Sequence, residues 1–155
     1  MSDILARRHT HFVLWCPAPV ASAPELLIGR LKNGNPPLFQ QVTRRTLKPA
    51  LNGITPITGL FELEASTLGL ADDVYHYWFE VDNTAPGGTG RIQVTDPLAP
   101  VVDYRLYAPA NPSVLYPASV IGISAGRLNV RSGESRAPRV SRVMRWCWCT
   151  NRRVV

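Results

Sequence analysis

The chain has few cysteines and no long apolar run, and both shortages exclude whole classes of protein. Its 155 residues include three cysteines, too few for the framework of disulfides that holds small secreted domains together. No run of about 18 apolar residues is present, which excludes a membrane-spanning helix. Residues 1–10 lack the basic-then-apolar order of a secretory signal. We therefore expect a cytoplasmic protein that does not bind a membrane.

Groupings of metal-binding or nucleophilic residues are also scarce. Cys147 and Cys149 are one residue apart, but no second pair and no nearby histidine completes a four-ligand zinc set. The three histidines are His9, His11 and His76. None of them stands with a serine or cysteine and an acid in the pattern typical of nucleophilic catalysis. The sequence therefore predicts no metal, no cofactor and no catalytic residue.

No segment shows the apolar spacing of a helix, and the sequence predicts short strands instead. The chain contains 14 prolines and 11 glycines, which favour turns and short strands over long helices. Alternating or continuous apolar segments separated by turn residues indicate five or six strands between residues 11 and 94. Such a pattern predicts an all-β chain folded as an antiparallel β-sandwich.

The most informative strand is predicted over residues 74–83. A two-residue period places one set of its side chains toward the core; these are Tyr75, Tyr77, Phe79 and Val81. The opposite face carries Val74, His76, Trp78 and Glu80. A tryptophan between a histidine and a glutamate is unusual on a solvated face, so we expect another element, a partner or a flat sugar ring to cover it.

Positive charge is concentrated at one end of the chain. The net charge is +6, but residues 127–155 hold eight arginines against Glu134 alone. The part before them is close to neutral, so the basic character belongs to a tail with little core-forming material, which we expect to be disordered or irregular. Arginines interleaved with Trp146 and Trp148 leave open an alternative function, the binding of nucleic acid or another acidic surface.

Three motifs, in order, resemble one family. Residues 12–17, Phe-Val-Leu-Trp-Cys-Pro, are similar to the Phe-x-Leu-Trp-Ala-Pro opening of the immunoglobulin-like N-terminal domain of starch- and glycogen-active enzymes of glycoside hydrolase family 13. Residues 59–63 and 75–82 resemble the Gly-x-Trp strand and the Tyr-x-Tyr-x-Phe-x-Val-Asp strand of that domain. Residues 96–99, Asp-Pro-Leu-Ala, resemble the segment that leads toward the catalytic barrel. Carbohydrate-binding module family 48 belongs to the same domain class.

The resemblance implies an immunoglobulin-like sandwich without catalytic residues, since the family's aspartate nucleophile and glutamate acid lie in the barrel. We expect a non-catalytic accessory module that binds α-glucan or packs on a catalytic domain, in a fragment or truncated form of such an enzyme. Trp78 stands where glucan-binding members commonly carry a lysine, so the lysine-dependent site is not expected. The candidate residues for sugar stacking or interdomain packing are His76, Trp78, Glu80 and Trp15.

The domain organisation follows from these boundaries. Residues 1–10 form an N-terminal lead-in and residues 11–107 the β-sandwich. Residues 108–131 contain three prolines among small residues and are expected to form a linker. Residues 132–155 form the arginine-rich tail.

Overall fold

Two antiparallel sheets make up the architecture, as a computed structural model shows for residues 2–16, 20–34, 37–106 and 116–130. The smaller sheet has three strands, β1 (His11–Trp15), β4 (Lys48–Asn52) and β5 (Thr55–Glu64), in the order β1-β5-β4. A short helix, α1 (Ser2–Arg7), precedes it. Ile4 of this helix packs against the buried cluster of Val13, Ala50 and Leu60.

The larger sheet has seven strands. Along its main path the order is β10-β9-β6-β2-β3, with β7 paired to β6 and β8 paired to β9. The bounds are β2 (Glu25–Lys32), β3 (Leu38–Thr46), β6 (Asp73–Asp82), β7 (Arg91–Val94), β8 (Val101–Asp103), β9 (Ala118–Ser124) and β10 (Arg127–Leu128). A 3-10 helix, Ala65–Leu68, joins β5 to the segment before β6.

The predicted all-β antiparallel sandwich is confirmed, and so is its core. Phe12 and Leu14 of β1 meet Leu26 and Ile28 of β2 in one buried cluster between the sheets. The inner residues of β6 are almost completely buried, and they are those predicted from its two-residue period: Tyr75, Tyr77, Phe79 and Val81. The Tyr77 ring lies edge-on to Phe12 at 5.1 Å and to Phe79 at 5.9 Å between ring centroids, a favourable aromatic geometry.

The sheet extends beyond the predicted boundary at residue 107. β9 lies inside the predicted linker 108–131, yet it is hydrogen-bonded to β6 from Asp73↔Ile123 to Tyr77↔Ser119. The apolar segment 120–123 therefore has its partner within the chain. The sequence did not predict this strand, because the prolines before it make the composition of the segment resemble that of a flexible linker. The tail 132–155 and residues 107–115 lie outside the described residues.

The N-terminal lead-in is also more ordered than predicted. Arg7 donates a hydrogen bond to Glu62 at 2.8 Å and another to the carbonyl of Leu51 at 2.6 Å. Arg8 donates to the carbonyl of Leu98. The backbone N–H of Leu128 in β10 also donates to the carbonyl of His9 at 2.9 Å. These contacts tie residues 2–10 to both sheets, and no hydrophobic period in so short a segment could reveal them.

Candidate functional site

Trp78 is buried, so of the covers expected for the outer face of β6 the structure shows another part of the same chain. Its exposed fraction is 2 %. Phe39 of β3 lies edge-on to its ring, with centroids 4.9 Å apart, and Leu106 and Ala118 pack against it. The covering element is the chain itself: the segments on either side of residues 107–115 close over the ring. A sugar ring cannot stack on Trp78 in this arrangement.

The indole nitrogen of Trp78 is satisfied as well. Its Nε1 donates a hydrogen bond to the carbonyl oxygen of Tyr116 at 3.0 Å. A buried indole N–H without a partner would lower the free energy of unfolding by about 1–3 kcal/mol. The bond therefore stabilises the position of the ring against the segment before β9. Trp78 therefore joins β6 to the segment before β9.

His76 lies on the same face and is also buried, at 7 % exposure. Its Nε2 is 2.9 Å from a carboxylate oxygen of Asp103. Its Nδ1 is buried without a hydrogen-bond partner among the described residues. We infer that Nε2 carries the proton, because the carboxylate accepts it and an unpartnered Nδ1–H would cost more than an unpartnered lone pair.

Asp103 holds a turn as well as the histidine. Arg105 donates to its carboxylate through both Nε and Nη2, the latter at 2.6 Å. The side-chain hydrogen bonds of Arg105 lower the pKa of Asp103 well below its usual range, against the opposing effect of burial. The carboxylate therefore stays ionised in the neutral range and keeps residues 103–106 beside the Trp78 ring.

Glu80 belongs to an ion-pair cluster at one end of the same face. Its carboxylate lies 2.8 Å from Nη2 of Arg44 and 3.3 Å from Nε of Arg91. Arg91 also lies 3.4 Å from Asp82, and Arg44 lies 3.6 Å from Glu25. Because both of its oxygens have cationic partners, Glu80 has a structural role here, and the pairing joins β2, β3, β6 and β7.

Trp15 is the one of the four predicted site residues that is exposed, at 52 %. It ends β1 on the outer face of the smaller sheet, directly opposite Leu60 of β5. Val13, two residues earlier, and Leu60 belong to the buried cluster against which Ile4 and Ile57 pack. Beside Trp15, Leu60 is apolar, while Glu62, which faces Val13 across the same two strands, is paired with Arg7. The structure separates Trp15 from the other three predicted residues, which lie on the larger sheet.

A buried hydrogen-bonded contact that the sequence did not predict joins β6 to the segment after β7. Tyr77 donates to a carboxylate oxygen of Asp96 at 2.6 Å, and the backbone N–H of Asp96 donates to Ser119 Oγ at 2.8 Å. Burial raises the pKa of Asp96, while the hydrogen bonds from Tyr77 and from the Leu98 N–H oppose the rise. This contact stabilises the turn formed by residues 96–99. In the sequence, Asp96 itself was the signal that could have indicated the contact.

The described residues offer no grouping for metal binding. They contain no cluster of three or more histidine, cysteine or acidic side chains able to hold a metal ion. Cys16, five residues after His11 in the sequence, is buried at 1 % exposure. Within the same ranges, no helix is long and apolar enough to cross a membrane.

Comparison of the chain with protein-family models, with curated proteins and with solved structures found no match. Function is therefore inferred from the geometry of the site and from the sequence motifs.

Proposed function

We propose that this chain is a non-catalytic accessory module of an α-glucan-active glycoside hydrolase, and that it acts by packing on a catalytic domain. The observation that supports packing is the contrast between two tryptophans. Trp78 is 2 % exposed and closed in by its own chain, whereas Trp15 is 52 % exposed. The link to glycoside hydrolase family 13 rests on the three sequence motifs.

The surroundings of Trp15 favour a protein partner over a sugar. A sugar site needs hydrogen-bonding side chains next to the aromatic ring, because each bound hydroxyl loses water partners. Leu60, directly opposite Trp15, is aliphatic, and Glu62, two residues further along β5, is already paired with Arg7. An exposed tryptophan without free hydrogen-bonding neighbours is typical of an anchor at a protein interface.

The binding half of the proposal is tested by titrating the chain with maltoheptaose and following tryptophan fluorescence, with Trp15→Ala as the control. We expect no saturable change in either protein and no release of reducing sugar from glycogen. A saturable change that is lost in Trp15→Ala would replace packing with carbohydrate binding at Trp15.

The packing half is tested by joining the chain to a family 13 catalytic barrel whose own N-terminal domain has been removed. We expect the thermal midpoint of the barrel to rise, because a docked domain covers its exposed apolar surface. Trp15→Lys should abolish the rise, whereas Leu98→Lys, at an apolar side chain that is 43 % exposed elsewhere on the surface, should not. An equal rise with Trp15→Lys would contradict the proposed docking surface.

A nucleic-acid function through the arginine-rich tail stays a prediction from the sequence. Residues 132–155 lie outside the described residues. Deleting them should abolish any salt-dependent RNA binding if that prediction holds.

A further inference from the structure

The turn between β4 and β5 presents an asparagine followed by a glycine. Asn52 is the last residue of β4, and Gly53 follows it in the turn before β5. Both residues are exposed. The φ of Gly53 is +64°, a conformation that glycine adopts readily. Among the described residues, no atom beyond its chain neighbours lies within 4 Å of the place where a Cβ would stand. The backbone nitrogen of Gly53 is therefore open to approach.

The two groups that can react with each other both lack hydrogen-bond partners. Within the described ranges, neither the side-chain amide of Asn52 nor the backbone N–H of Gly53 makes a hydrogen bond. A bond between the nitrogen of Gly53 and Cγ of Asn52 closes a five-membered ring. Because both groups belong to adjacent residues, the reaction is intramolecular and needs no encounter with a second molecule.

Only the end of the hairpin has to open for this ring to form. Ring closure needs rotation about the Cα–C bond of Asn52, away from the strand conformation. The pair Asn52↔Thr55 is the last in the register of β4 and β5, and such ends open at little cost in free energy. Arg7 donates to the carbonyl of Leu51, one residue before the rotating bond, so that contact can persist.

Two other asparagines of the described residues lack this arrangement. The side-chain oxygen of Asn83 accepts the backbone N–H of Ala85 at 3.2 Å. Asn129 precedes Val130, whose N–H donates to the carbonyl of Leu128 at 3.0 Å. A β-branched residue follows each of these asparagines, and its stiff side chain crowds the backbone nitrogen. We therefore expect both to keep their amides.

We infer that Asn52 is a site of spontaneous deamidation. The nitrogen of Gly53 attacks Cγ of Asn52 and loses its proton, the bond from Cγ to the amide nitrogen breaks, and ammonia leaves with that proton. Water then opens the cyclic imide at either carbonyl and returns a proton to the ring nitrogen, which gives aspartate or isoaspartate. Water is the only other reactant. The inference does not depend on the proposed function.

The product differs from the original chain in charge and in backbone length. No acidic or basic residue lies between Lys48 and Glu62, so the new carboxylate is the only charge in that segment. The net charge of +6 falls by one. Isoaspartate also adds a methylene group to the backbone, which disrupts the pair Asn52↔Thr55 and loosens the end of the hairpin.

Incubation of the folded full chain at neutral and at mildly alkaline pH tests this inference. Digestion with trypsin and a glutamate-specific protease releases residues 46–62, in which Asn52 is the one asparagine. Mass spectrometry should show a carboxyl group in place of the amide in a fraction of this peptide that grows with time. The fraction should grow faster at the higher pH, because the attacking nitrogen must lose its proton. An isoaspartate-specific methyltransferase should label the same peptide.

A second asparagine that precedes a glycine is kept apart by the same digest. Asn33 is followed by Gly34, which adjoins residues 35–36, outside the described residues. Trypsin releases it in residues 33–44, so its own conversion does not enter the measurement on residues 46–62.

Asn52→Gln is the matched variant. Its longer side chain has to close a six-membered ring, which is slow, so the conversion in residues 46–62 should be lost. The exposed position spares the fold. Conversion of residues 46–62 only after the chain is unfolded in urea would overturn the inference, because the hairpin would then protect Asn52. Equal conversion of Asn83 or Asn129 in the folded chain would also overturn it, since the open turn would not be the cause.

Discussion

The hydroxyl of Tyr77 donates a 2.6 Å hydrogen bond to the carboxylate of Asp96, and both groups lie in the interior. The bond joins the central strand β6 to the turn that follows β7. The same carboxylate accepts the backbone N–H of Leu98 at 2.8 Å. Two donors thus satisfy a carboxylate that would otherwise be costly to bury.

Tyr77→Phe should lower the free energy of unfolding by about 1–3 kcal/mol, because it leaves Asp96 buried with one donor fewer. Equilibrium unfolding in urea measures the loss. Tyr75→Phe is the matched control, since the Tyr75 hydroxyl donates to the uncharged Ala71 carbonyl at 2.8 Å. Arg30, which donates to the same hydroxyl at 3.2 Å, also pairs with Asp73 and so keeps a partner. An equal loss in the two variants would contradict a special role for the contact with Asp96.

Tyr77 should also make the stability of the protein sensitive to alkaline pH. Burial, together with the Asp96 charge, raises the pKa of Tyr77 well above its ordinary value. Above about pH 10 the unfolded chain releases this proton while the folded chain retains it, so the free energy of unfolding falls as pH rises. In Tyr77→Phe the part of this fall that Tyr77 causes should disappear. Parallel unfolding curves at pH 9 and 11 (about one unit on either side of that value) would show the difference, and identical pH dependence in both proteins would refute it.

The two tryptophans of the candidate site should respond differently to truncation. Trp78→Ala removes a ring packed against Phe39, Leu106 and Ala118 and should cost about 3–5 kcal/mol. Trp15→Ala, at a half-exposed position, should cost less than about 1 kcal/mol. Urea unfolding of the two variants gives both values. Similar losses would mean that Trp15 is as deeply packed as Trp78, against its exposure.

The sequence predicted the strands better than their surroundings, for a physical reason. The alternation in β6 depends only on its own side chains, so the inner face from Tyr75 to Val81 could be assigned locally. Whether Trp78 on the outer face is exposed depends on Leu106 and Ala118, which lie 28 and 40 positions further along the chain. No local pattern encodes such a contact, and the same applies to His76 and Asp103.

Residue 29 must be glycine because the backbone of β3, which pairs with β2, passes very close to it. The register shifts between Ile28 and Gly29, at a β-bulge, and a Cβ atom at residue 29 would collide with the backbone carbonyl of Gln40. Backbone cannot move aside as a side chain can, so Gly29→Ala should cost about 1–3 kcal/mol or more.

The control for this variant is Gly122→Ala in β9 of the same sheet. There the added Cβ would lie 3.0 Å from the amide nitrogen of the Asn129 side chain, which can rotate away. Thermal unfolding of the two proteins should separate them clearly. If Gly122→Ala is as damaging as Gly29→Ala, the effect reflects the loss of glycine in a strand and not the bulge.

The turn between β9 and β10 contains a residue that is poorly suited to its conformation. Ala125 has a φ of +50° and Gly126 a φ of +69°, the pair of positive values that a two-residue hairpin of type I′ requires. A left-handed conformation costs an ordinary L residue about 1–2 kcal/mol, and asparagine tolerates it better. Ala125→Asn should therefore raise the free energy of unfolding by about 0.5–1 kcal/mol and the thermal midpoint by about 1–4 °C. The backbone N–H of residue 125 keeps its 2.8 Å bond to Asp72, so the turn itself is preserved. Ala85→Asn, in an exposed loop without a positive φ, should give no such gain, and a gain of the same size there would show that the backbone conformation of Ala125 is not the cause.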